Sequence, residues 1–325
     1  MIPTFNSERF VAAAAVSALS QSCSRIEVIV VDDCSNDRTV SIVENLAASD
    51  HRLTLVQLQA NGGPGAARNH GFAIARGEWI SVLDADDLIA PSRTADLISV
   101  AQRVGADIVA DNLIAFTGND PLSGHRYLEC AKAGWISTED YLREGRLFGG
   151  NQNFGYLKPL FRSDRLRSLG LRYDERLRIA EDDDLIVRAL LSGLRYWWTP
   201  DETYFYRRHS GSTSHRLSLT NVQAMCVVSD ELLARERASP ERPLLVARHR
   251  ALERGIAFVR IVEALKSKRW FEAIGVGLRR PSVLTLLRMP IGAKIERMVS
   301  TLEARSLRFS KSSANRPRMD IGTEQ

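Results

Sequence analysis

Glu27-Val-Ile-Val-Val-Asp32-Asp33-Cys34-Ser35-Asn36-Asp37-Arg38-Thr39 is the stretch on which the fold turns. Four β-branched residues in a row, without the polar alternation of a strand that has one wet face, read as a strand buried on both sides. The run ends in acids, and after a short polar turn a helical pattern covers Thr39–Ala48. Working outward, comparable apolar runs recur at Leu53–Leu58, Trp79–Leu83 and Asp107–Ala110, and helical patterns lie between them at Phe10–Ser20, Ala66–Ala75 and Pro91–Val104. Strand and helix in alternation predict an α/β, Rossmann-like fold: a mostly parallel sheet with helices on both faces and ligands at the carboxyl ends of the strands. Residues 112–160, rich in glycine and aromatics around Phe148–Tyr156, are expected to form substrate loops rather than core. From Leu217 onward the pattern is helical, with Leu252, Ile256, Val259, Val262 and Leu265 as one apolar stripe. At the other end, Met1 and Ile2 alone precede Pro3, where a parallel strand runs about five residues. The sequence therefore predicts a truncated or misassigned start, with a short edge strand as the alternative.

The chain has 325 residues, 44% hydrophobic and 26% charged, which is enough for a real core and excludes disorder and small disulfide scaffolds. No apolar run is long enough to span a bilayer, and the N-terminus lacks the pattern of a secretory leader, so a cytoplasmic protein, or one held peripherally on a membrane, is expected. Cys23, Cys34, Cys130 and Cys226 are far apart and have no histidine at zinc-ligand spacing, so they read as reduced thiols. Residues 1–216 carry 24 Lys+Arg against 28 Asp+Glu, whereas residues 217–325 carry 20 against 11. A basic tail on a mildly acidic body is compatible with an anionic membrane or an acidic ligand; without a zinc-finger or RNP motif, nucleic acid is the least supported partner.

Four acidic or glycine-rich clusters and one basic one carry candidate chemistry. Asp32 and Asp33 end the deciding strand; helix capping by Ser35 or Asp37 explains one acid near that turn but not two at the strand end, and paired carboxylates there suit ribose or base donors. Asn61-Gly-Gly-Pro-Gly-Ala-Ala-Arg68 is a glycine turn entering a helix, which offers backbone N–H groups and Arg68 to a phosphate, although it is neither a P-loop nor a dinucleotide fingerprint. In Asp84-Ala-Asp86-Asp87, an extended backbone puts Asp84 and Asp86 on one side, where two carboxylates repel unless a cation or donors lie between them. Such hard oxygen ligands suit Mg²⁺ or Mn²⁺ on a diphosphate, while Asp86 or Asp87 capping the helix near Pro91 is the plain alternative. Glu181-Asp-Asp-Asp184 opens another helix; the helix dipole accounts for some of these acids, and one of them in a cleft is a candidate general base. Tyr206-Arg207-Arg208-His209, followed by Ser210–Ser214, fits a loop closing on phosphate.

In order, Pro3-Thr-Phe-Asn6, Val31–Thr39, Asn61-Gly-Gly with Ala67-Arg-Asn69, Asp84-Ala-Asp-Asp87, Glu181-Asp182 and Arg207-Arg-His209 with Ser212-Thr-Ser214 resemble the inverting GT-A glycosyltransferases of family 2, and within them the bacterial exopolysaccharide transferases of succinoglycan type. The resemblance spans about residues 1–216. It implies a GT-A catalytic domain over 1–216, with a nucleotide-sugar half to about 111 and an acceptor half from about 112, followed by a basic helical C-terminal region over 217–325. It further implies that Pro3, Thr4, Asp32 and Asp33 hold the uridine, that Arg68 supports the nucleotide, and that Asp84 touches the ribose or sugar. Asp86, with His209, would bind the divalent metal. Asp182 matches the catalytic base, with Glu181 positioning the acceptor, and Arg207 and His209 match the element closing on the diphosphate. The implied reaction moves a hexose from a UDP-sugar to a polyprenyl-diphosphate-linked saccharide in exopolysaccharide biosynthesis, at the cytoplasmic face of the inner membrane.

Two rivals remain at this level. A nucleotidyltransferase would need a glycine-rich basic loop on its first strand, and Pro3-Thr-Phe-Asn-Ser7 is not one. A non-catalytic homologue would be marked by loss of Asp86 or Asp182, and both are present. For the tail, basic residues flanking short apolar stretches over Val283–Arg308 weigh a solvated cap against docking on anionic lipid. Ser310–Gln325 is expected to be disordered.

Overall fold

The computed structural model describes residues 1–129, 132–145, 154–209, 217–280, 282–283 and 286. The deciding stretch forms β2 (Val28–Asp32), buried along its whole length. It is flanked in parallel by β1 (Ile2–Thr4), with Ile2 opposite Val30 and Thr4 opposite Asp32, and by β3 (Leu53–Gln57). The helices that return the chain are α1 (Val11–Leu19), α2 (Thr39–Ser49) and α3 (Pro64–Ile74), the last with proline in its first turn, where no N–H is needed. β1 is short and stands at the edge of the three-stranded sheet β1-β2-β3, the alternative that the sequence offered. The Met1 amine donates to the Ser81 carbonyl at 2.7 Å and the Leu83 amide donates to the Met1 carbonyl at 3.0 Å, joining it to the segment of β4 (Trp79–Ser81).

Beyond β4 the chain forms β5 (Leu88–Ile89), α4 (Arg93–Val104), β6 (Ile108–Phe116), β7 (His125–Arg126), β8 (Gly134–Ile136), α5 (Thr138–Glu144), β9 (Leu160–Arg162), α6 (Ser163–Ser168), α7 (Glu181–Leu191) and β10 (Tyr196–Arg207). The second sheet runs β4-β9-β6-β10-β5, with β7 on β6 and β8 on β10. Among the described residues, β6 and β10 pair in parallel and the other pairings of this sheet are antiparallel. The α/β architecture stands, with its parallel character concentrated in β1–β3, where helices make the crossovers.

The expectation that residues 112–160 are loops rather than core is corrected. β6 continues to Phe116, and Tyr141, Leu142, Leu157 and Leu160 are all buried. Asp111 and Asn112 look like the start of a loop, but Asp111 is paired at 2.7 Å with buried Arg93, and Asn112 bonds both backbone groups of Leu128. Burial of Asp111 and Asn112 is tolerated because their side-chain groups are partnered.

Two compact units are present, Met1–Glu253 and Arg254–Gln325. The first extends past the expected boundary at 216 to take in α8 (Leu219–Arg235), whose Leu232 joins the main core together with Leu245. The long helix α9 (Arg242–Lys266) follows, and in the second unit Ala257, Ile261 and Ala264 pack with Ala273 of α10 (Trp270–Arg279). Among the described residues, no helix is long and apolar enough to cross a membrane. The expected disordered tail and most of Val283–Arg308 lie outside the described residues.

Candidate active site

A cavity of about 720 Å³ opens where β1, the turn after β2, the start of α3, the Asp84–Asp86 turn, the start of α7 and the end of β10 converge. Pro3, Thr4, Asp33, Arg68, Asp84, Asp86, Glu181, Asp182 and His209 all line it, so residues dispersed over 200 positions meet in one space. Asp32 and Arg207 lie outside the lining. Three non-glycine residues with left-handed backbones mark the site: Asn6 (φ 49°) and Ala180 (φ 65°) in the wall, and Cys34 (φ 68°) directly after Asp33. Such conformations cost about 1–2 kcal/mol each and concentrate where geometry is functional.

The floor is a charge network built from α3, α7 and the segment before β9. Arg68 is buried and pairs with Asp84 at 2.9 Å, with Glu181, and with Asp182 at 3.3 Å. Lys158, also buried, places Nζ 2.7 Å from Asp182 Oδ2 and 2.9 Å from Asp84 Oδ2. Two cations thus bind three carboxylates. Burial alone would lower the Lys158 ammonium, but Asp182 and Asp84 overcome it and hold the group well above its ordinary value. Burial likewise pushes Asp84 up, yet Lys158 and Arg68 prevail and hold it below the usual carboxylate range. For Glu181 burial wins over Arg68, and its carboxyl is raised.

This network separates the four acids at the start of α7. Asp182 faces Lys158 and Arg68 in the cavity. Asp183 accepts from the Tyr141 hydroxyl at 3.1 Å and pairs with Arg248, and Asp184 pairs with Arg188 at 2.7 Å. Helix geometry explains the split, because successive residues project about 100° apart.

The Asp84–Asp87 turn departs from the sequence reading at Asp87, offered there as a helix cap. Donors already meet both carboxylates: Asp84 is neutralised by Lys158 and Arg68, while Asp86 Oδ2 lies 2.8 Å from His209 Nε2. Burial, with the charge of Asp84, raises the Asp86 carboxyl. One hard carboxylate beside one imidazole fits an open Mg²⁺ or Mn²⁺ site completed by diphosphate and water. Among the described residues, no three His, Cys, Asp or Glu side chains form a ready cage. Asp87 is not a helix cap. It accepts from the Tyr204 hydroxyl and the Arg207 amide, both at 2.7 Å, and so pins the end of β10 to this turn.

Arg207 itself is a strut. Its Nε donates to the Asp86 carbonyl at 2.8 Å, Nη1 donates to the Gly118 carbonyl, and the guanidinium lies 4.5 Å from the Phe116 ring. His209 follows it into the cavity with its ring 4.9 Å from that of Phe10. Ser210–Ser214, expected as a closing loop, lies outside the described residues, as does most of Phe148–Tyr156.

On the nucleotide side, the N–H groups expected to meet phosphate are already used: the amides of Gly62 and Gly63 each donate to the Asp33 carboxylate at 2.7 Å. Gly63 has φ +88°, a conformation that suits glycine, and this lets the turn wrap the carboxylate. Asp32 turns back to accept from the Ser35 amide at 2.9 Å and hydroxyl at 2.5 Å, so it shapes the turn. Thr4 carries a buried hydroxyl with no partner in the structure, and Arg178 reaches over Gly63 to donate to Asn61 at 3.0 Å. Neither Lys158 nor Arg178 is visible as a motif; each is brought to the site only by the fold.

A model of the family described as Glycosyl transferase family 2 matches residues 1–164. The chain is 37% identical over 304 residues to the succinoglycan biosynthesis protein ExoO of Rhizobium meliloti, covering 92% of this chain and 86% of that protein. Among solved structures, it resembles residues 1–349 of Staphylococcus aureus TarS in complex with UDP-GlcNAc (TM-score 0.59, 21% identity, 86% of this chain and 90% of that one). It also resembles the mannosyltransferase PcManGT of Pyrobaculum calidifontis in complex with GDP-Man and Mn²⁺ (TM-score 0.54, 19% identity, 91% and 85%). At these identities the structures speak for the GT-A fold alone, whereas the family match and the similarity to ExoO reach further. The chain belongs to glycosyl transferase family 2.

Proposed function

We propose that this chain is an inverting hexosyltransferase of exopolysaccharide biosynthesis that uses a UDP-sugar donor and a polyprenyl-diphosphate-linked saccharide acceptor, with Asp182 as general base. The observation that carries this reading is the position of Asp182 in the cavity wall beside Asp84, held by Lys158 and Arg68, while Asp183, also at the wall, is taken up by Tyr141 and Arg248, and Asp184 by Arg188. The similarity to ExoO supports the biosynthetic setting.

In the reaction, an acceptor hydroxyl gives its proton to Asp182 as its oxygen attacks the anomeric carbon. The bond from that carbon to the diphosphate oxygen breaks on the opposite face, UDP departs, and the centre inverts, so an α-linked donor gives a β-linked product. No acid is required at the leaving group, in contrast to glycoside hydrolysis. A divalent cation at Asp86 and His209 would supply charge compensation to the diphosphate. Pro3, Thr4 and Asp33 would receive the uridine, the unpartnered Thr4 hydroxyl being available to it. Asp32 and Arg207 would act from behind, by holding the turn and the end of β10.

The test is a panel of UDP-sugars with and without Mg²⁺ or Mn²⁺, reading donor binding and UDP release, with Asp86→Ala as control. Metal-dependent binding of one donor, lost in the variant, is expected. Binding of none, or release of pyrophosphate in place of UDP, would overturn the reading.

A further inference from the structure

The helix α10 leaves an apolar face open. Phe271 is 92% exposed, Leu278 78%, and Trp270 and Ile274 58% each. At about 100° per residue these four fall within one arc of about 100°. The adjacent arc, with Ala273 and Gly277, is the buried one. The apolar face is bracketed by exposed cations, Lys266, Lys268 and Arg269 before it and Arg279 and Arg280 after it. The single acid of the helix, Glu272, is paired with Arg269 at 2.8 Å.

We propose that this face of α10 docks the chain on an anionic lipid bilayer, with the aromatic and aliphatic side chains entering the headgroup boundary and the flanking cations meeting lipid phosphate. Charge selects this occupant over two others. A second copy laid on the same face would bring two basic rims together. The chain's own residues 287–325, with eight Lys+Arg against four Asp+Glu, have the same sign. The membrane contact that the sequence associated with Val283–Arg308 is thereby assigned to an earlier helix. The inference does not depend on the transfer reaction, because lipid binding is read without donor or acceptor.

The experiment is co-sedimentation of the full chain with phosphatidylcholine vesicles and with vesicles containing phosphatidylglycerol, alongside light scattering without lipid. The full chain is expected to bind the anionic vesicles in a salt-sensitive manner. The double variant Phe271→Asp with Leu278→Asp, at positions exposed enough to leave the fold intact, should bind at least about tenfold more weakly. Replacing Lys266, Lys268 and Arg279 by glutamine should cost about 10²-fold on anionic vesicles and little on neutral ones. Absence of vesicle binding, or equal binding by the aspartate variant, would overturn the proposal. So would a dimer that the aspartate variant dissociates and that does not bind lipid, which would assign the face to a second copy.

Discussion

Replacing Lys158 with methionine keeps an unbranched stem in a buried position and removes one of the two cations that neutralise Asp84, Glu181 and Asp182. Asp182 loses a donor at 2.7 Å and Asp84 one at 2.9 Å, and three carboxylates are left to Arg68 alone. Removing one partner of a buried ion pair costs about 3–5 kcal/mol because the other charge stays buried without compensation. In a unit of this size that corresponds to a fall in Tm of roughly 6–20 °C. Turnover should fall as well, by about 10²-fold, since a catalytic group displaced by about 1 Å loses that much. Scanning calorimetry and UDP release, measured at a temperature where the variant is still folded, separate the two effects. Lys158→Arg retains the charge and should recover part of the stability. An unchanged Tm together with unchanged turnover in Lys158→Met would refute the reasoning.

Asp84 is held below the ordinary carboxylate range, so below about pH 4 the unfolded chain binds more protons than the folded one. Its stabilising contribution is present above that pH and is lost as pH falls toward the lower folded value, and acid titrations of Tm should be flatter in Asp84→Asn than in the parent. Gly63→Ala forces a side chain onto φ +88° and into the Arg178 guanidinium, so it should cost about 1–3 kcal/mol and weaken donor binding by calorimetry. Tyr204→Phe leaves buried Asp87 without the hydroxyl at 2.7 Å and should cost about 1–3 kcal/mol in denaturant unfolding, with His209 less well placed and the metal dependence of donor binding weakened.

Much of the first half of the fold was legible because its signals are local. β2, β3, α2 and α3 are each specified by a short, largely apolar run or a periodic helix within a dozen residues. β10 was not, since Thr199-Pro-Asp-Glu202 interrupts its apolar pattern; the structure accommodates this stretch with register shifts between Trp198 and Tyr204. In the sequence β6 ends at Ala110 because the partners of the next two residues are distant: Arg93 lies 18 residues before Asp111, and Leu128 lies 16 residues after Asn112. At the site, acids clustered at strand ends and helix starts could be found from the sequence, and Asp33, Asp84, Asp86, Glu181 and Asp182 among them line the cavity together with His209. Their division of labour could not, because it depends on cations distant in sequence. Lys158, set between Leu157 and Pro159, gives no hint that it will lie against Asp84 and Asp182. The same limit explains Gly62 and Gly63, whose amides read as open in the sequence and are occupied by Asp33 in the fold.

The most direct test of the account is Asp182→Asn measured beside the parent for donor binding and for acceptor-dependent UDP release. Asparagine retains the shape and an oxygen for Lys158 while removing the proton acceptor. The account predicts an unchanged donor Kd with kcat lowered by about 10²–10⁴-fold. Turnover equal to that of the parent would contradict it.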